Sequence, residues 1–74
     1  MEQYEALEAK QEGLCAVCGR PSMRGEKRLR LSVDHDHVTG LVRGLVCNKC
    51  NLGLGYFCDD VDVLRAAAAY LTTP

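Results

Sequence analysis

Two Cys-x-x-Cys pairs stand 28 residues apart in this chain of 74 residues, Cys15 with Cys18 and Cys47 with Cys50. Two residues between paired cysteines let the backbone curl, so that both sulfurs reach one ion at about 2.3 Å, and two pairs complete the tetrahedral site that Zn²⁺ prefers. Gly19 follows the first pair, where a tight turn often needs a positive φ. Four thiolates leave no position for water, so we predict one structural zinc ion per chain.

A chain this short is expected to need a stabilising metal site of this kind. A domain of this length buries only about 60% of the surface that its unfolded chain exposes, which leaves its core marginal. Structural zinc supplies on the order of 10–16 kcal/mol of apparent binding free energy in small peptides, which exceeds that deficit. We therefore expect the four paired cysteines to hold the fold together.

Disulfides and redox chemistry are the competing interpretations of the five cysteines. The count is odd, and the first ten residues, MEQYEALEAK, are polar and charged, unlike a secretory signal. No stretch approaches the roughly 20 apolar residues that span a bilayer. A redox-active site needs only one Cys-x-x-Cys pair, whereas this chain has two pairs with a predicted hairpin between them, which argues against redox chemistry. We expect a soluble intracellular protein with reduced thiols, in which Cys58 is a small core residue or a bystander.

The net charge of −1 hides an uneven distribution. Residues 1–19 carry four Glu and one Lys, for a net charge of −3. Residues 20–43 carry six Lys or Arg and three Asp or Glu, for a net charge of +3. Residues 44–74 carry two Lys or Arg and three Asp, for a net charge of −1. A basic middle segment fits a solvated face as well as a nucleic-acid surface, so both interpretations stay open at this point.

The hydrophobic pattern predicts a first helix followed by a hairpin. Residues 2–12 have helical periodicity, and Gly13 is placed to end that helix. Residues 29–34 alternate apolar and polar side chains, as a half-buried strand does. A turn at 39–40 and an apolar segment at 41–46 then predict a returning strand.

Two further helices are predicted after the hairpin. A short one begins at Cys47, and Gly53 and Gly55 are expected to weaken and end it. The last begins near Asp59, which stands in N-cap spacing to Asp62. Its predicted apolar face consists of Val61, Leu64, Ala68 and Leu71.

Both histidines of the chain lie in one tetrapeptide, Asp34-His35-Asp36-His37, where the first predicted strand ends. If the strand continued, alternation would put the two Asp on one side and the two His on the other. Such a tetrapeptide fits a polar turn with Asx-type hydrogen bonds, and it also fits a catalytic or metal site. The tetrapeptide alone does not decide between them.

The tetrapeptide belongs to a longer pattern with a specific order. It is followed by Thr39-Gly40, by the strand VRGLVC and by the segment CNKCN. This series closely resembles the phage recombination endonuclease VII branch of the HNH nucleases, which combines a DHDH turn, a VRGLLC strand and a CxxCN helix start with an earlier CxxCG. The resemblance covers roughly residues 14–56. It implies a small α+β zinc-stabilised domain built on the ββα-metal motif (HNH, His-Me finger), with flanking N- and C-terminal helices.

The resemblance also implies the residues of an active site. The family's ligands for a divalent metal match Asp34 and Asn51, and its general base matches His35. Carboxylate and amide oxygens are hard ligands suited to Mg²⁺ or Mn²⁺, and an imidazole can take a proton from water near neutral pH. His37 is implied to belong to the catalytic cluster, where it would contact phosphate or orient its neighbours.

Two more residues are candidates for a supporting role. Asp36 is expected on the same side as Asp34, and Arg43 on the returning strand is expected to contact phosphate. Because Asn51 follows Cys50 directly, the zinc site is expected to fix the position of a catalytic ligand.

The implied function is metal-dependent hydrolysis of DNA phosphodiester bonds by a phage-encoded HNH endonuclease in the cytoplasm of the infected bacterium. We expect one HNH, endonuclease VII-like domain over residues 1–74, with the zinc and active-site core at 14–56 and a C-terminal helix at about 59–71. The expected partner is DNA, with no membrane. Nicking, double-strand cleavage and branched-DNA cleavage stay open, as do a homodimer and other phage proteins as partners. The alternative is a noncatalytic zinc module that binds DNA or a protein, which has no need of the metal ligands or the base.

Overall fold

The computed structural model describes residues 2–72, which form three helices and two small antiparallel sheets. The elements, in chain order, are helix α1 (Glu2–Lys10), strands β1 (Met23–Arg24), β2 (Lys27–Arg28), β3 (Ser32–His35) and β4 (Val42–Val46), and helices α2 (Asn48–Tyr56) and α3 (Val61–Thr72). Strand β1 pairs with β2, and β3 pairs with β4. The expected small α+β architecture is confirmed. None of the described helices is long and apolar enough to cross a membrane.

Helix α1 ends close to its predicted boundary, in a left-handed turn. Beyond Lys10, the N–H of Glu12 donates to the carbonyl of Ala9 (3.1 Å) and the N–H of Gly13 to that of Glu8 (2.9 Å). These are the two hydrogen bonds of a Schellman motif. Gly13 has a φ of 72°, but the first left-handed position is filled by Glu12, with a φ of 56°. A residue with a Cβ is unfavourable in that conformation.

Replacing Glu12 by glycine should therefore stabilise the zinc-loaded domain by about 0.5–1 kcal/mol, because relief of left-handed strain exceeds the added entropy of the unfolded chain. The matched control is Glu8→Gly, four residues earlier inside α1, which should destabilise by about 1 kcal/mol. Denaturant unfolding at saturating zinc measures both changes. Equal losses in the two variants would contradict the strained turn.

The core is small and continuous with the cysteine pairs. Its buried apolar residues are Tyr4, Cys15, Leu31, Leu45, Val46 and Cys47, with Leu7 and Cys50 packed against them. The hydroxyl of Tyr4 donates to the backbone carbonyl of Leu31 (2.7 Å), so this buried polar group is satisfied and ties α1 to the start of the hairpin. Because two of the six core residues are cysteines, whatever holds the thiols together also holds the core together.

The free edge of β4 is covered by the segment that follows α1. The side chain of Gln11 both donates to the carbonyl of Leu45 (2.9 Å) and accepts from its N–H (3.0 Å), as a neighbouring strand would. The N–H of Ala16 donates to the same carbonyl (3.0 Å). A Cβ on Gly44 would lie 3.3 Å from the Gln11 side-chain oxygen, so a glycine suits this close approach. The edge strand is thereby paired and fixed against the first cysteine pair.

The β-structure differs from its prediction in two respects, the start of the predicted hairpin and the presence of a second hairpin. The first strand of the predicted hairpin covers Ser32–His35 rather than 29–34, while the returning strand, Val42–Val46, agrees closely with the predicted 41–46. An additional hairpin, β1–β2, was absent from the prediction. Its strands have two exposed residues each, too few for an alternating pattern to be visible. Gly25, with a φ of 62°, occupies the first of its two turn positions.

Helix α2 continues through the two glycines that were expected to end it. Gly53 and Gly55 both lie inside the helix, so that prediction was wrong. The helix ends at Tyr56, one residue beyond Gly55, and its C-cap Phe57 is followed by two left-handed residues, Cys58 (φ 54°) and Asp59 (φ 55°). Their N–H groups donate to the carbonyls of Gly55 and Leu54, each at 2.9 Å. The helix begins at a fixed cap, which offsets the poor helix propensity of its glycines.

Helix α3 also starts differently from the prediction. Its N-cap is Asp60 rather than Asp59, because the Asp60 carboxylate accepts from the N–H groups of Asp62 (2.9 Å) and Val63 (3.2 Å). None of its residues is buried, and of the predicted apolar face only Leu64 is even half-buried. Asp59 is thus free of the capping role that the sequence suggested for it.

Candidate functional site

The four paired cysteines converge on one point. Their sulfurs all lie within 4.8 Å of one another, and the sulfurs of Cys18 and Cys47 are 3.7 Å apart. A tetrahedral zinc site with bonds of about 2.3 Å has sulfur–sulfur edges of about 3.8 Å, so four thiols this close together could hold a Zn²⁺ ion. Among the described residues, no other group of three or more His, Cys, Asp or Glu side chains is arranged to hold a metal.

Each pair is shaped by its own turn. The N–H of Val17 donates to the sulfur of Cys15 (3.3 Å), and Gly19 closes the first turn with a φ of 71°. In the second pair, the sulfur of Cys47 accepts from the N–H of Cys50 (3.5 Å) and so caps helix α2. A predicted zinc ligand is therefore also the N-cap of the helix, which couples the cysteine site to the orientation of α2.

The thiols of this cluster differ in acidity. Burial alone would raise the pKa of the Cys15 thiol, but hydrogen bonds from the backbones of Cys18, Cys47 and Val17 outweigh it and lower that pKa to about 6. Burial, together with sharing of thiol hydrogen bonds with its neighbours, raises the pKa of Cys50 to about 12. Zinc binds thiolates, so loading the site must release the protons that the metal-free cluster holds.

A second cluster lies at the turn end of the β3–β4 hairpin, centred on Asp34 and Arg43. Arg43 grips Asp34 with two parallel hydrogen bonds, from Nε (2.7 Å) and Nη2 (3.0 Å). The strand register shifts here: Asp34 pairs with Gly44 and His35 with Val42, so Arg43 is the extra residue of a bulge. Pairing with Asp34 raises the pKa of the guanidinium, and only 13% of the Asp34 side chain is exposed. The carboxylate is thus held rigidly and mostly out of solvent.

Asp59 joins this cluster from the α2–α3 connection. Its Oδ2 accepts from Nη2 of Arg43 (3.2 Å) and lies 3.3 Å from Nδ1 of His37. The site predicted from sequence did not include Asp59, because the pattern assigned it to a helix cap and no local signal links it to the hairpin. We call Asp34, His37, Arg43 and Asp59 the acid–histidine cluster.

The structure places the other candidates elsewhere. His35 lines a groove between α1 and the hairpin together with Tyr4, Leu7 and Val33, whereas its neighbour Asp34 faces Arg43. Adjacent residues of a strand point to opposite faces, which separates the two side chains. The strand ends at His35, so the condition under which alternation would place both histidines on one side is not met.

Asp36 and Asn51 are also outside the acid–histidine cluster. The Asp36 carboxylate accepts from the N–H groups of Val38 (2.8 Å) and Thr39 (2.9 Å), which stabilises the turn and lowers its pKa. It makes the Asx-type turn that was the structural interpretation of this motif. Asn51 is exposed on α2, which packs against β3, and its side chain forms no hydrogen bond with another described residue.

Two arginines of the basic segment have structural partners. Arg28 donates to the carbonyl of Gly13 (3.2 Å), and the guanidinium of Arg30 lies 4.1 Å from the centre of the Tyr4 ring. Both contacts pack the segment against the end or the face of α1. Part of the positive charge in residues 20–43 therefore serves the fold.

Comparison with known proteins identifies relatives over almost the entire chain. The model of the recombination endonuclease VII family matches residues 1–73. The Gene 59 protein of Mycobacterium phage D29 is 47% identical over 74 residues, and the Gene 59 protein of Mycobacterium phage L5 is 43% identical. Each match covers 99% of this chain but 43% of the relative, so the chain spans less than half the length of these relatives. No solved structure matches the chain.

Proposed function

Because the chain belongs to the recombination endonuclease VII family, we propose that it is a metal-dependent HNH endonuclease that hydrolyses phosphodiester bonds in DNA. The observation that carries this proposal is the family match over residues 1–73, which includes both the Asp34–His37 tetrapeptide and the second cysteine pair with Asn51. The relatives from mycobacteriophages support a phage protein, whose DNA substrate would lie in the cytoplasm of the infected bacterium.

The element order supports a ββα-metal motif within one domain. The hairpin β3–β4 leads through Cys47 directly into α2, and α2 packs against β3. Helices α1 and α3 flank this unit in the chain. In the proposal, zinc at the four cysteines fixes the angle between hairpin and helix, because Cys47 directly follows β4 and caps α2. The core of the motif would be residues 14–56 of a single domain over 1–74.

The chemistry of Asp34 and Asn51 fits a hard divalent cation such as Mg²⁺ or Mn²⁺. Each carboxylate oxygen of Asp34 accepts one hydrogen bond from Arg43 and keeps a further lone pair, and the Asn51 side chain is exposed and without a partner among the described residues. These two residues would hold the ion, which supplies positive charge to the phosphate and to the leaving oxygen.

The remaining residues would act on the proton and the phosphate. By family resemblance His35 is the general base, and it is exposed at the last position of β3, where DNA can approach it. Arg43 uses three N–H groups on Asp34 and Asp59. A guanidinium has five such groups, so both hydrogens on Nη1 remain for a phosphate oxygen. His37, held by Asp59, is the second histidine of the proposed site.

Incubation of the zinc-loaded chain with supercoiled plasmid and with a branched duplex tests the proposal. We expect cleavage only when Mg²⁺ or Mn²⁺ is added, and none with zinc alone. DNA binding should weaken steeply with salt, because each Lys or Arg that contacts a phosphate displaces counterions. Gel analysis of nicked, linear and resolved products also distinguishes the kinds of cut.

If the chain binds DNA but never cuts it, we would conclude that it is a noncatalytic zinc module. Arg43 already forms ion pairs with both Asp34 and Asp59, which is how a scaffold would use these carboxylates. A chain that binds DNA in a salt-dependent way, but leaves every substrate intact with either metal, would be such a module. Cleavage that persists after removal of all added metal would instead contradict the metal-dependent reaction.

A further inference from the structure

We propose that Asp59 is a positioning residue of the nuclease site, whose carboxylate fixes the tautomer and orientation of His37 so that Nε2 faces the DNA. The inference rests on the proposed function and extends it to a residue on a different element. Its starting point is that one oxygen, Oδ2 of Asp59, lies 3.3 Å from Nδ1 of His37 and 3.2 Å from Nη2 of Arg43.

Asp59 is the one carboxylate that contacts an imidazole among residues 2–72. Two acidic residues lie nearer to His37 in sequence, but both have other partners. Asp34 is hydrogen-bonded to Arg43, and Asp36 accepts hydrogen bonds from its own turn. Only 17% of the Asp59 side chain is exposed, against 73% for His37. A well-packed acid therefore anchors a histidine that would otherwise rotate freely in solvent.

The backbone that places the Asp59 carboxylate has an unfavourable conformation. Cys58 and Asp59 are consecutive left-handed residues with side chains, a conformation that favours glycine. Their N–H groups close the end of α2, and the following residue, Asp60, takes over the cap of α3. This turn directs Asp59 back to the hairpin. Since α2 begins at Cys47, the position of Asp59 is linked through the helix to the cysteine site.

The chemical consequence concerns the two ring nitrogens of His37. A carboxylate beside Nδ1 favours the tautomer with the proton on Nδ1. Nε2 then carries a lone pair and can accept a hydrogen bond or a proton on the side away from Asp59. Carboxylates that orient metal-ligating histidines in this way contribute about 10- to 100-fold to affinity or activity, and we expect an effect of the same order for His37. Arg43, held by the same oxygen, is kept next to the imidazole.

The test compares Asp59→Ala and Asp59→Gly with two controls. Glycine removes the carboxylate while suiting the left-handed backbone, so this variant should fold even if the alanine variant does not. Asp62→Ala removes an equal charge from the first turn of α3, and Cys58→Gly relaxes the same turn without touching the carboxylate. Zinc content and unfolding curves establish that all four variants are folded.

The first readout is the tautomer of His37, from long-range ¹H–¹⁵N spectra recorded above the pH range in which imidazole protonates. The parent and both controls should show Nδ1 protonated, and loss of Asp59 should shift His37 towards the Nε2-protonated form. His35, the only other histidine of the chain, serves as the internal reference. A His37 spectrum that is unchanged by Asp59→Gly would overturn the proposal.

The second readout is cleavage rate in a double-mutant cycle. Asp59→Gly should slow cleavage by about 10- to 100-fold, but it should cause no further loss in a His37→Ala background, because it acts through that residue. Equal losses in both backgrounds would mean that Asp59 acts by another route. A parent that cuts no DNA would overturn the proposed function, and the catalytic role of Asp59 with it. An unchanged spectrum in a parent that does cut would overturn the role of Asp59 alone.

Discussion

Cys47→Ser should leave the domain without zinc and unfolded under conditions in which the parent is folded. The sulfur of Cys47 is at once one of four converging thiols, a member of the buried core and the N-cap of α2. Serine keeps a capping oxygen but is a poor zinc ligand, so the variant loses most of an apparent binding free energy on the order of 10–16 kcal/mol. That loss is as large as the whole unfolding free energy of a typical domain, which is about 5–15 kcal/mol. Metal analysis and circular dichroism measure it.

Cys58→Ser is the matched control for this prediction. Cys58 is exposed at the end of α2 and lies outside the four-sulfur cluster, so its variant should retain one zinc per chain and the parent's unfolding curve. A strong chelator should unfold the parent and the Cys58 variant alike. A Cys47 variant that folds normally without zinc, or a parent purified without chelator that contains none, would disprove the structural role of the metal.

The features predicted correctly from the sequence are those set by local chemistry. The spacing of the cysteine pairs restricts where their sulfurs can go, and the structure brings all four together. The returning strand was also predicted to within one residue, because an apolar segment directly follows a turn signal there. The strand signal lies within the strand itself, and each cysteine pair carries its own ligand spacing, so both halves of the cysteine site are visible in the sequence although 28 residues separate them.

The wrong predictions from sequence lie where contacts between distant segments determine the local structure. Gly53 and Gly55 disfavour a helix, yet α2 includes both, since it is fixed at Cys47 and packs on β3. Asp59 was taken for a cap because its spacing to Asp62 allows one, but the neighbouring Asp60 takes that position. No sequence pattern shows that the turn after α2 returns to the hairpin, so the contact of Asp59 with Arg43 and His37 was unpredictable.

The most sensitive test of the site is a comparison of its two histidines. If His35 is the general base, His35→Ala should slow cleavage by about 10²–10⁴-fold, while zinc content, folding and DNA affinity stay near those of the parent. His37→Ala should cost less, because His37 is expected to orient or bind rather than to take the proton. The matched pair is informative because the structure places His37 beside Asp59 and directs His35 to the α1 side.

Variants of the proposed metal ligands should fail in a different way. Asp34→Ala and Asn51→Ala should lose activity that added Mg²⁺ or Mn²⁺ partly restores, with the larger loss for Asp34, which supplies the negative charge. Added metal should not rescue His35→Ala, since that variant lacks a proton acceptor rather than a ligand. Should His37→Ala instead show the large loss that metal does not rescue, and His35→Ala cut normally, the base is the histidine that Asp59 holds. If all four variants cut as fast as the parent, none of these side chains takes part in the reaction.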